Sequence, residues 1–84
     1  MAHIVVEAAT LANNRIEKLR VKMDRLPVRT IDRDTAFSWL KEGHSLVPVG
    51  GAALQLVETS EDQFVIRPDA DKVDEDSVPG VPQA

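Results

Sequence analysis

Apolar residues recur along the first third of this chain at Val5, Ala9, Ala12, Ile16, Leu19, Met23 and Leu26, spaced alternately four and three apart. That spacing stacks side chains along one face of an α-helix. The start of the run reads two ways, because Ile4-Val5-Val6 carries the Cβ branching that favours a strand. Thr10 can cap a helix by accepting a backbone N–H bond, and Asn14-Arg15-Ile16-Glu17 offers a capping box with Glu17 reaching back. Asn13 and Asn14 are poor interior helix residues, each costing roughly half a kcal/mol relative to Ala. The reading that combines these signals is a short strand and then a helix from about Thr10 to Leu26. Pro27 stops it, since proline lacks the amide hydrogen and disfavours helical geometry in the residue before it. The shortened stripe of Ala12, Ile16, Leu19, Met23 and Leu26 is expected to pack on the protein's own sheet rather than zip along a partner.

Beyond Pro27 the period changes. Val28-Arg29-Thr30-Ile31 reads as a short strand. Asp32 or Asp34 then caps a second helix, Arg33 to Glu42, with Ala36, Phe37 and Leu40 on one face, Trp39 at its edge and Gly43 as its stop. Ser45 to Val49, the glycine pair Gly50-Gly51 and Ala52 to Thr59 read as a hairpin, with Pro48 placing the first strand at a sheet edge or bulge. A polar turn at Ser60-Glu61-Asp62 leads into Phe64 and Ile66, which alternate with Val65 and Arg67. Together these make a three-stranded meander over about residues 45–67. From Pro68 onward charge replaces periodicity, so 69–84 is expected to be a disordered acidic tail containing prolines.

The predicted fold is thus a small single α+β domain over residues 1–68. One longer and one short helix pack on a mainly antiparallel sheet in the order β-α-β-α-β-β-β, followed by the tail. The expected core holds Ile16, Leu19, Met23, Leu26, Phe37, Leu40, Leu54, Leu56, Phe64 and Ile66.

An apolar fraction of 43% is enough to fold a chain of 84 residues, though a domain so small has little core to spare, and a homodimer would relieve the shortage. With no cysteine, neither a disulfide nor a thiolate metal site supplements it. No run approaches the roughly 18–20 apolar residues of a membrane span, and Glu7 breaks the first apolar run too early for a signal-peptide core, which sets the expectation of a cytoplasmic protein with no membrane partner.

Net charge is −4, but its sign is segregated. Seven basic residues, Arg15, Lys18, Arg20, Lys22, Arg25, Arg29 and Arg33, face only Glu17, Asp24 and Asp32 in the same stretch. From Glu58 to Asp76 the acids dominate, opposed by Arg67 and Lys72 alone. Such asymmetry suits an acidic partner at one end and self-masking by the other.

Assembled chemistry is absent from the sequence. His3 and His44 are the only histidines, and His44 fits the position after a helix-ending glycine, where a positive ring suits the helix dipole. A reaction through His44 would need a carboxylate such as Asp32 or Asp34 beside it. Asp69, Asp71 and Asp74 fail the calcium-loop pattern, which wants an oxygen ligand, a glycine and a glutamate where this chain has Val73, Asp74 and Gly80. Gly50-Gly51 lacks the lysine and the helix of a phosphate loop, and Pro79-Gly80-Val81-Pro82 meets the PxxP pattern without flanking basic residues.

No catalytic residue, metal or cofactor is therefore assigned. The leading expectation is a non-enzymatic protein-interaction or regulatory module, with self-association as one mode. Arg15, Lys18, Lys22, Arg25, Arg29 and Trp39 are its candidate contacts. The alternative is a small nucleic-acid-binding regulator, using a basic helix from Arg15 to Arg29 with the acidic tail as its inhibitor. The acidic total and the lack of stacking aromatics in that stretch weigh against it.

Overall fold

Two asparagines reverse the chain where a helix is expected. In the computed structural model, which describes residues 3–60 and 63–83, Asn13 and Asn14 have φ of 52° and 62° and join two long strands, β1 (His3–Ala12) and β2 (Arg15–Met23). Positive φ at both central residues is the signature of the type I′ turn, whose twist matches that of paired strands, and asparagine tolerates it better than any residue but glycine. The predicted first helix is thereby replaced by an antiparallel hairpin in which Ala12 pairs with Arg15 and Ile4 with Met23.

The helical spacing has a physical source. Val6 pairs with Val21 but Ala8 with Arg20, so Glu7 is an extra residue in β1; Thr10 pairs with Lys18 but Leu11 with Ile16, so Glu17 is an extra residue in β2. Each bulge moves the inward-facing set by one position. Inward residues therefore fall at Val6 and Ala9 on β1 and at Ile16 and Leu19 on β2, three apart as on a helix, while Leu19, Val21 and Met23 return to the spacing of two. Val21 lies off the helical stripe and is nevertheless fully buried, which only the strand allows.

Strand β3 (Arg29–Asp32) adds to the free edge of β2, and β4 (Ser45–Pro48) runs parallel to β1, giving a four-stranded sheet in the order β3-β2-β1-β4. Pro48 is the last residue of an edge strand, where its missing N–H costs no ladder bond. Between β3 and β4 the one helix among the described residues, α1 (Arg33–Lys41), follows its sequence signals closely. The Asp32 side chain accepts the Thr35 N–H at 2.8 Å. At the other end Gly43, at φ 98°, lets its own N–H reach Leu40 O and the His44 N–H reach Trp39 O, the paired bonds of a Schellman stop. Ala36 is fully buried beneath the helix, which touches β2, β3, β4 and the following strand.

That strand, β5 (Gln55–Ser60), pairs with β6 (Gln63–Arg67) in a separate two-stranded ribbon. The predicted meander is corrected here, because β4 and β5 lie in different sheets and Gly50-Gly51 turns the chain out of the first. The turn expected at Ser60-Glu61-Asp62 falls partly outside the described residues. The ribbon buries residues on both faces: Ile66 joins the main core on one, Val57 and Val65 pair on the other. Phe64 is 37% exposed and meets Phe37 edge-on at 5.8 Å, while Met23, Phe37, Leu40 and Leu56 are half-buried and Leu26 is exposed. Of the expected core, Ile16, Leu19, Leu54 and Ile66 are fully buried.

The acidic tail is the second major difference. Residues 69–83 form almost no regular structure, yet Asp76 and Val78 are buried and Val81 packs on the core. The Asp76 carboxylate accepts the Ile16 and Ile66 amides at 2.8 and 2.9 Å and the Arg33 guanidinium at 2.6 and 3.1 Å. Gly80, at φ 90°, lies with its backbone against Gly50-Gly51 so closely that a Cβ on it would stand 2.3 Å from the Gly50 carbonyl carbon. Pro82 O then accepts the Ala9 N–H at 3.1 Å, and Gln83 bridges Ala9 in parallel, occupying the lane beside β1 that β4 leaves after Pro48. A charge run masks these anchors in sequence, since each is one residue whose partner is far away along the chain.

Candidate functional site

The candidate contacts fall in three places, fixed by the strand geometry that replaced the helix. Arg15 stands at the start of β2 beside the hairpin turn, where its guanidinium holds Asp74 at 2.7 Å and the Asp74 carbonyl at 2.8 Å. It braces the C-terminal segment and is separated from the rest. Lys18 and Lys22 alternate with buried residues and so project from the outer face of β2, the side away from α1. Arg20 lies between them on that face, in register with Ala8 on β1 and Thr30 on β3. A helical reading turns Arg20 away from Lys18 and Lys22, which is why it was missed; two-residue spacing was the signal that could have found it.

The remaining three gather around the loop from β2 to β3. Leu26 N donates to Met23 O at 3.1 Å, and the Lys22 ammonium donates to Leu26 O at 2.7 Å, so the turn is braced from both sides. Arg25 occupies it at φ 66°, a conformation costly for a residue with a Cβ. Leu26 and Val28 are 47% and 44% exposed, with the exposed Pro27 between them. Next to the loop, the Arg29 guanidinium lies 5.8 Å from the centre of the half-buried Trp39 ring. The result is an exposed apolar tip, Leu26-Pro27-Val28, whose backbone is bonded by Lys22 and which lies between Arg25 and the Arg29 that covers Trp39. The sequence pattern places Leu26 in the core, but it is exposed because the helix that would bury it does not form.

Charge pairing separates the cations into two sets. Among the described residues Arg15, Arg33 and Arg67 hold Asp74, Asp76 and Asp69, all in the C-terminal segment, whereas Lys18, Arg20, Lys22, Arg25 and Arg29, together with Lys41 on α1 and Lys72 further along, face no carboxylate within ion-pairing distance. Burial works against ionised Asp76, but the Arg33 bonds and the Ile16 and Ile66 amides outweigh it and hold its pKa below the ordinary carboxylate value. Asp69 is likewise lowered by Arg67, and Asp32 by its bonds to Thr35.

His44 and the carboxylates Asp32 and Asp34 lie at opposite ends of α1, roughly 13 Å apart along a helix of this length. Among the described residues no cavity opens, no group of three metal-ligating side chains gathers, and no helix is long and apolar enough to cross a membrane. No protein-family model, curated protein or solved structure matches the chain. What fold and surface define is a small, mostly β domain of mixed α/β content, in which five of the cations unpaired among the described residues follow one another along one strand, the loop after it and the start of the next strand.

Proposed function

We propose that this protein is a non-enzymatic interaction module that docks another protein through the β2–β3 loop. The observation that carries the reading is the exposed Leu26-Pro27-Val28 tip beside the Arg29-covered Trp39. Exposed apolar side chains next to tryptophan and arginine are the composition of an interface hot spot, and a loop already held in one conformation loses little entropy on binding. The rim of Lys22, Arg25 and Arg29, opposed in the loop by Asp24 alone, selects a partner segment with an apolar side chain flanked by carboxylates.

Selection of displayed random peptides on the immobilised protein tests this. Enriched peptides should carry an apolar residue among Asp and Glu, and should lose binding to Leu26→Asp and to Arg29→Ala while both variants keep the circular dichroism of the parent. Enrichment of peptides whose binding ignores both substitutions would reject the site. Concentration-dependent light scattering that disappears in Leu26→Asp would instead name a second copy of the chain as the occupant.

A further inference from the structure

We infer that the outer face of the four-stranded sheet is a second binding site, one for the phosphate backbone of single-stranded nucleic acid. Lys18, Arg20 and Lys22 occupy alternate positions of β2 on one exposed face, about 6.6 Å apart along the strand. In a chain of net charge −4, three adjacent cations without a carboxylate partner among the described residues make a local reversal of sign. Asp32 is in register with Lys18; its Oδ1 accepts the Thr35 amide at 2.8 Å, and no ion pair joins it to Lys18. Lys22 gives one donor to Leu26 O and keeps two. The acidic segment is anchored at the hairpin turn, where Asp74 is neutralised by Arg15 and Asp76 by Arg33, and charges beyond about 8 Å are screened at physiological salt.

Position within the sheet favours a phosphodiester over an acidic peptide strand. β2 is hydrogen-bonded to β1 on one edge and β3 on the other, so an incoming peptide finds no free backbone edge beside the cations. A nucleic-acid strand needs none. Besides Asp32, the flanking residues in register, Val5, Ala8, Thr10 and Thr30, carry no charge, and Ala8 opposite Arg20 is itself buried. The stripe itself bears no aromatic residue, so bases would not stack along it, and binding there is independent of sequence and set by charge.

Three phosphate contacts predict a slope of log affinity against log salt of about −2, which is about a 20-fold loss between roughly 0.05 and 0.2 M salt. The measurement is fluorescence anisotropy of a labelled oligothymidylate of about twelve nucleotides, with the full chain as titrant. Lys18→Gln, Arg20→Gln and Lys22→Gln should each reduce the slope by about 0.7, and Arg15→Gln, which lies off the stripe, should leave it unchanged. Amide chemical shifts of the unaltered protein provide a readout that needs no variant and should move along β1, β2 and β3 outside the Leu26-Val28 loop. Absence of binding at the lowest salt, a slope indifferent to the three substitutions, or binding of poly-glutamate in preference to the oligonucleotide would each overturn the assignment.

Discussion

Asp76 does more for this fold than its place in a run of acids suggests. Its carboxylate closes four hydrogen bonds reaching β2, β6 and the first residue of α1, and its side chain is fully buried. Asp76→Asn keeps the shape but leaves Arg33 and one amide short of an acceptor, so we expect a loss of about 2–4 kcal/mol in denaturant unfolding. The pH dependence follows from the same contacts. A carboxyl whose folded pKa is lowered stabilises the fold above its unfolded value of about 3.9, and that contribution disappears as pH falls through the folded value. Thermal melts should therefore weaken below about pH 4, and Asp76→Asn should flatten that acid limb.

At the scale of elements, the hairpin depends on its two asparagines. Asn14→Gly should preserve or raise the melting temperature, because glycine adopts positive φ freely, whereas Asn14→Val should cost about 1–2 kcal/mol. The bulges at Glu7 and Glu17 are equally part of the design. Deleting Glu17 removes the extra residue and leaves Ile16 and Leu19 two apart on the same face of a regular strand, so circular dichroism with calorimetry should report that cooperative unfolding is kept.

Across the whole molecule, the C-terminal segment is a structural member laid over the sheet and ribbon. It fills the lane beside β1 after Pro48, supplies Val78 and Val81 to the core and meets Gly50-Gly51 through Gly80. Gly80→Ala places a methyl group inside the backbone of Gly50 at a φ hostile to alanine, and should destabilise by about 2 kcal/mol or more. A chain ending at Arg67 would lose Asp76 and with it the bonds to Ile16, Ile66 and Arg33. It should show broad, non-cooperative melting and poorly dispersed amide resonances.

The sequence by itself determined what is decided within a few residues. Helix α1 is legible from Asp32 to Gly43, because a capping carboxylate and a left-handed glycine act on their own neighbours. The strands near 29–32, 45–48 and 55–67 are legible in outline for the same reason, and so are the candidate cations at Lys18, Lys22, Arg25 and Arg29. Tertiary structure decided the rest. Val6 to Ala9 and Ile16 to Leu19 have the spacing of a helix, and only pairing of β1 with β2 reveals that each gap of three holds a bulge. That pairing is also what brings Arg20 into line with Lys18 and Lys22, and what leaves Leu26 in solvent. The segment from Asp69 reads as a solvated tail because its composition is polar, yet one buried carboxylate and one glycine contact help to hold it, through Ile16, Arg33 and Gly50, all thirty or more positions away. Period and composition record the local preferences of a chain; register, and the partner of a single buried charge, exist only once distant segments have met.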